Sequence, residues 1–120
     1  MQAKDLEKHQ WTKRIIVISS PDFSNKMAED QLQHLQGDLN ALQDRKLIVY
    51  HVTNQGFTKD FSSEIFPSKN IDSEITQFTT TLIGLDGSEK LRTSTSLPAL
   101  RFFEVIDQMP MRKNELKRQK

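Results

Sequence analysis

The run Arg14, Ile15, Ile16, Val17, Ile18 and Ser19, closed by Ser20, Pro21 and Asp22, decides how the rest of this chain is read. Four consecutive β-branched residues show no polar alternation, which is the pattern of a strand buried on both faces in the middle of a sheet. Proline cannot extend a strand ladder, and serine and aspartate favour turns. The strand therefore ends at Ser19, and Ser20 or Ser24 is placed to cap a helix. From Ser24 to Asp44, Ala28, Leu32, Leu35, Leu39 and Leu42 recur at steps of four, three, four and three residues, the apolar stripe of one helix lying on a sheet. Leu47 to Thr53 is a second strand. Strand, helix, strand in that order implies a parallel pair joined by a right-handed crossover.

Outward from this unit the signals weaken. Met1 to Lys13 is polar apart from Leu6 and Trp11, and Trp11 is expected to cover an edge of the core. Asn54 to Gln77 is punctuated by Gly56 and Pro67, with Phe57, Phe61, Ile65, Phe66, Ile71 and Ile75 at partly helical spacing, so one or two short helices are expected there. Phe78 to Leu85 reads as a third strand. Asp86 and Gly87 signal a two-residue hairpin turn, and Glu89 to Thr93 returns as a fourth, antiparallel strand. Leu100, Phe103, Val105, Ile106 and Met109 lie on a helix that starts near Pro98 and that Pro110 ends. The expected organisation is a lead-in over 1–13, one domain over 14–110 and a basic tail over 111–120.

Composition narrows the function classes. Seventeen Lys and Arg against sixteen Asp and Glu leave a net charge of +1, too balanced for the basic footprint of a nucleic-acid binder. With no cysteine, thiolate catalysis, disulfides, Cys-ligated zinc and iron–sulfur clusters are excluded within the chain. No run approaches the roughly 20 apolar residues of a membrane span, so membrane insertion is not expected. Met1 to Gln10 lacks the apolar core of a signal peptide. There is no P-loop or Gly-rich dinucleotide turn, and His9, His34 and His51 lack the spacing of a helical metal site. No cofactor or metal is expected.

The order of elements is that of an α/β, thioredoxin-like domain: a four-stranded mixed sheet, β-α-β-α-β-β-α, flanked by helices. Ile83, Gly84, Leu85, Asp86 and Gly87, then Lys90, Leu91 and Arg92, and finally Ile106 through Met109, Pro110, Met111 and Arg112 add to this. From about Trp11 to Arg112 the chain resembles the P-DUDES domains, peroxiredoxin-like domains of unknown function found alone in bacteria and within secreted sushi-repeat proteins of animals. The resemblance implies the thioredoxin-like fold and, for many bacterial members, export to the periplasm or outside the cell. It implies no reaction, because the family has none established. In redox-active relatives of the fold the reactive thiol follows the first strand, where Ser19 to Ser24 stand here, and a cis-proline precedes the third strand, where Gln77 and Phe78 stand.

The candidate binding surface is accordingly Ser19, Ser20, Pro21, Asp22 and Ser24, with Arg92 and Arg112 from the segments that carry the resemblance. No catalytic residue is nominated. A serine nucleophile needs a positioned base, no histidine is assigned to this loop, and the serines read as helix caps. His34 is expected to face solvent, and His51, in mid-strand, to be a satisfied structural histidine. Glu29 with Asp30, and Asp60 with Glu64, read as ordinary helix-surface carboxylates. Arg92 shares a strand face with Lys90, as charged guards of an edge strand do. The basic residues Arg112, Lys113, Lys117, Arg118 and Lys120 read as a solvated tail. The expected function is a non-catalytic module with a protein partner; the alternative is an enzyme of non-thiol chemistry centred on the loop after the first strand. Open α/β sheets place ligands beyond the carboxyl ends of their strands, so any contact is expected at the Ser19 to Ser24 end. The helix N–H groups there favour an anion unless Asp22 occupies them.

Overall fold

The computed structural model describes residues 8–67 and 74–118. In chain order these form β1 (Arg14–Ser19), α1 (Lys26–Gln36), α2 (Leu39–Asp44), β2 (Leu47–Thr53), β3 (Gly56–Lys59), β4 (Thr79–Ile83), β5 (Glu89–Thr93), α3 (Ala99–Asp107) and α4 (Pro110–Arg118). The five strands make one mixed sheet in the order β3-β2-β1-β4-β5. β1 runs parallel to β2, with Arg14 opposite Leu47, and antiparallel to β4, with Ile15 opposite Ile83. The two outer pairings, β2 with β3 and β4 with β5, are antiparallel.

The β-branched run is central, as its composition implies. Ile16 and Ile18 face a core shared with Leu35 of α1, Leu42 of α2, and Phe102 and Ile106 of α3. Ile15 faces a second cluster with Ile48, Tyr50 and Val52. Each fully buried isoleucine removes enough apolar surface from water to stabilise the fold by roughly 1.5–3 kcal/mol. No helix among the described residues is long and apolar enough to cross a membrane.

Several expectations are corrected. The sheet has five strands and not four, because the stretch expected to form short helices folds back as β3 against β2. Gly56 permits this: its φ of +145° is open to glycine, and a Cβ there would collide with the Phe66 carbonyl oxygen. Phe57 and Phe66 then exchange backbone hydrogen bonds of 2.9 and 2.8 Å and stack at 5.5 Å, so the aromatic spacing serves a bridge and not a helix face. Ile71, counted in the same pattern, lies outside the described residues.

The helix expected over Ser24 to Asp44 is two helices. Gly37 caps α1, and the Asp38 carboxylate accepts the Ala41 N–H at 3.2 Å to start α2 in a new direction, which leaves Leu39 half exposed. The cap of α1 is Asn25, whose side chain accepts from Ala28 N at 3.0 Å, and neither Ser20 nor Ser24. The hairpin loop has three residues, Leu85, Asp86 and Gly87. Gly84 donates its N–H to the Ser88 carbonyl and its own carbonyl accepts from Gly87 N–H, and within the loop only Gly87 takes a positive φ, +83°. That is a turn followed by a left-handed glycine, as three-residue hairpins commonly have.

Trp11, expected over the core edge, is 60% exposed. The segment expected as a solvated tail forms α4 from Pro110, a residue suited to a first helical position. It is anchored through Arg112, which is 2% exposed and bonds Asp44.

Candidate functional site

β1 ends at Ser19, and Ser20 N–H still bonds the Val52 carbonyl at 3.0 Å, so the ladder carries Ser20 onto the same sheet face as Ile16 and Ile18. His51 of β2 sits on that face too, opposite Ile18 in the parallel register. The alternation of two adjacent strands therefore brings Ser20 Oγ to 2.7 Å from His51 Nε2, with Phe23 packed edge-on against the imidazole at 5.1 Å. His51 is the satisfied mid-strand histidine expected, but its partner is the loop serine, an adjacency that only strand register reveals.

A serine beside a histidine invites comparison with a nucleophile and its base. Proton bookkeeping argues otherwise. Ser20 Oγ also lies 2.8 Å from the Asp22 carbonyl oxygen, which can only accept. The single hydroxyl proton goes to that carbonyl, so His51 supplies the proton of the other bond as a neutral Nε2–H tautomer. In that state it cannot take a proton from Ser20. Ser20 is fully buried and His51 nearly so. Burial lowers the His51 pKa, partly opposed by the Asp22 carboxylate, which keeps the ring neutral near pH 7.

The rest of the loop is saturated in the same way. Asp22 Oδ1 accepts from Ser24 N and Ser24 Oγ at 3.1 and 2.9 Å. Asn54 N and Nδ2 both donate to the Pro21 carbonyl, and its amide pairs with both backbone groups of Ile75 at 2.8 Å. Asp22 is thus engaged in an Asx-type turn and does not cap α1. Ser19, Pro21 and Asp22 remain partly exposed, and Ser24 is exposed.

The two arginines do not join this loop. Arg92 lies on the edge strand β5 and pairs with Glu89 at 2.7 Å in solvent. Arg112 is 2% exposed and holds α4 against the far end of the sheet. Its Nη2 bonds the Asp44 carboxylate at 2.6 Å, its Nη1 the Asp44 carbonyl at 3.0 Å and its Nε Asp107 at 3.2 Å. Glu115 bridges Arg112 at 3.4 Å and the buried Arg14 at 3.2 Å, and Arg45 pairs with Asp107 while lying over the Phe103 ring. The sequence showed a cationic tail because the carboxylates that absorb it are 68, five and three residues away.

Among the described residues no group of three or more His, Asp or Glu side chains is placed to hold a metal ion. No curated protein and no solved structure matches the chain significantly. One family model does, over residues 5–115, and on that match the chain belongs to the domain-of-unknown-function family DUF4174.

Proposed function

We propose that this chain is a non-catalytic, thioredoxin-like interaction module that meets a protein partner at the loop between β1 and α1. The observation that carries this reading is the closed state of Ser20 and His51, which are buried and bonded to each other, with Ser20 also bonded to the Asp22 carbonyl; on the thioredoxin-like reading Ser20 stands in the loop where redox-active relatives carry the thiol. Leaving out β3, the sheet order β2-β1-β4-β5 has one parallel pair followed by an antiparallel hairpin, which supports the thioredoxin-like assignment. The P-DUDES resemblance favours the same fold and an extracytoplasmic placement. Ser19, Pro21 and Asp22, partly exposed, and Ser24, exposed, sit on a loop held by its own hydrogen bonds, which favours a preorganised contact surface. Neither arginine belongs to this surface: Arg92 pairs with Glu89 on the edge strand, and Arg112 is committed to the interior.

The test is chemical-shift mapping of the labelled chain in an extract of its own source cell. Line broadening at Ser19 to Ser24 that Asp22→Lys abolishes and Ser20→Ala preserves is the expected result, and broadening confined elsewhere refutes the surface. One observation favours the second reading, an enzyme at this loop: the 2.7 Å contact between Ser20 Oγ and His51 Nε2. Labelling of Ser20 by a fluorophosphonate probe, absent in Ser20→Ala, would replace the first reading with the second.

A further inference from the structure

The opposite end of the parallel pair holds a different surface. There the starts of β1 and β2, the helix α2 and the exit from β3 enclose an open cleft of about 630 Å³, within the range that small-molecule sites occupy. Its floor is Leu42 and Leu47, 4% and 8% exposed, and its walls include Leu39, 50% exposed, and Phe61. The cleft exists because β3 stops early. β3 pairs only with Tyr50 to Thr53, and the chain then turns away at Asp60 and Phe61, leaving the beginning of β2 uncovered on that side.

Lys13, Lys46 and Lys59 line the same cleft and are exposed. One carboxylate, Asp60, lines the cleft with them, so the three lysines outnumber it, and Glu115 lies beyond the lining. Asp60 Oδ1 accepts the Val49 N–H at 3.0 Å, and Glu115 serves Arg14 and Arg112, with Lys46 at 3.9 Å. Among the described residues no ion pair holds Lys13 or Lys59. Their field reaches His9, whose pKa is lowered first by burial and then by Lys8, Lys59 and Lys13, against an opposing contribution from Asp60.

Backbone strain collects here too. Lys46, Asp60 and Phe61 have φ of 55°, 50° and 66°, three of the four non-glycine residues with positive φ among those described. Such conformations persist only where the surroundings impose them. Asp60 is imposed by its N–H bond of 2.7 Å to the Val49 carbonyl together with its side-chain bond.

We propose that this cleft binds an amphipathic monoanion, a free carboxylate on an apolar chain. The chain lies on Leu39, Leu42, Leu47 and Phe61, and the carboxylate meets Lys13, Lys46 and Lys59. The site is separate from the Ser19 to Ser24 loop and does not depend on the interaction reading. An apolar floor alone accepts any greasy chain; Lys13 and Lys59, with Lys46 shared with Glu115, select the sign of its head group.

Calorimetric titration of the whole chain with dodecanoate, dodecyltrimethylammonium and acetate, each below its micellar concentration, tests this. Dodecanoate is expected to saturate at one per chain, while the matched cation and the chainless anion do not. Lys13→Glu combined with Lys59→Glu weakens dodecanoate binding by roughly tenfold or more, from reversal of two close charges near a surface. Leu39→Asp weakens it as well, and Arg101→Glu, a charge reversal on the exposed side of α3, does not. Chemical shifts move at Leu39 to Ile48 and Lys59 to Phe61. Equal binding of the cationic detergent, unchanged affinity in the double lysine variant, shifts centred on the Ser19 to Ser24 loop, or no saturable binding would each overturn the proposal.

Discussion

Replacing Arg112 by alanine tests the claim that this residue is interior structure and not a tail charge. The substitution removes four contacts to Asp44, Asp107 and Glu115 from a side chain that is 2% exposed. Removing one member of a fully buried ion pair costs about 3–5 kcal/mol, mostly from the charge left behind. Here the Asp44 and Asp107 side chains are 44% and 38% exposed and can rehydrate, and Glu115 keeps Arg14. The loss is therefore about 2–3 kcal/mol. A domain of this size falls by about 4 °C per kcal/mol, so Tm drops by roughly 8–12 °C. A domain with a total stability of about 5–15 kcal/mol remains folded through such a loss. Urea unfolding followed by far-UV circular dichroism measures it, because the lone Trp11 is exposed and reports the core poorly. Lys113→Ala, on the exposed side of the same helix, is the control and stays within about 0.5 kcal/mol of the parent. The acid limb gives an independent reading. Burial raises the Asp107 pKa, but Arg45 and Arg112 outweigh it and the net shift is downward. Its stabilisation is present above an unfolded value of about 4 and is lost as pH falls through the lower folded value. The gap between parent and Arg112→Ala therefore narrows in acid. An Arg112→Ala midpoint equal to that of Lys113→Ala would refute the interior role.

Gly87→Val forces a β-branched residue to a φ of +83° with its Cβ 3.3 Å from the Gln10 side chain, and is expected to cost about 1–3 kcal/mol by thermal unfolding; an unchanged Tm would discard the loop geometry. His51, held below its usual pKa of 6.5 by burial, stabilises the fold while neutral, so stability is complete above about pH 6.5 and declines as pH falls through the lower folded value. His51→Gln removes that slope, and a parent whose stability rises on acidification from pH 7 to 5.5 contradicts the assignment. Asp86 is held at about 2 by the Ser88 backbone N–H first, then the Ser88 hydroxyl and Lys90. Its support of the hairpin is present above about pH 4 and fades toward pH 2, and a carboxyl titration near the ordinary value by NMR would rule out those contacts.

Much of the fold was legible because the decisive signals are local. The span of β1 from Arg14 to Ser19, of β2 from Leu47 to Thr53 and of β5 from Glu89 to Thr93 follows from β-branched composition bounded by turn residues. The α1 stripe follows from its period, and the hairpin before β5 from Asp86 and Gly87. The misreadings share one cause. Phe57, Phe61 and Phe66 carry apolar content without a clean period, and a hairpin closed by a glycine at φ +145° claimed two of them where a helix was expected. Asp38 looked like one polar position on a helix, yet its side chain starts a new one.

Residue types, charge balance and the absence of cysteine come from the sequence by themselves, and with them the central strand, the parallel pair and the exclusion of thiol chemistry. Tertiary structure alone decided which charges are interior and which side chains meet. Ser20 and His51 are 31 residues apart and touch because parallel register aligns two strand ends. Arg112 is buried because Asp44, 68 residues away, reaches it. The lysines of the cleft converge because β3 ends short of the start of β2. Local pattern reports the free energy of a segment against its own neighbours. Pairing across long loops depends on register and packing, which no window of sequence contains.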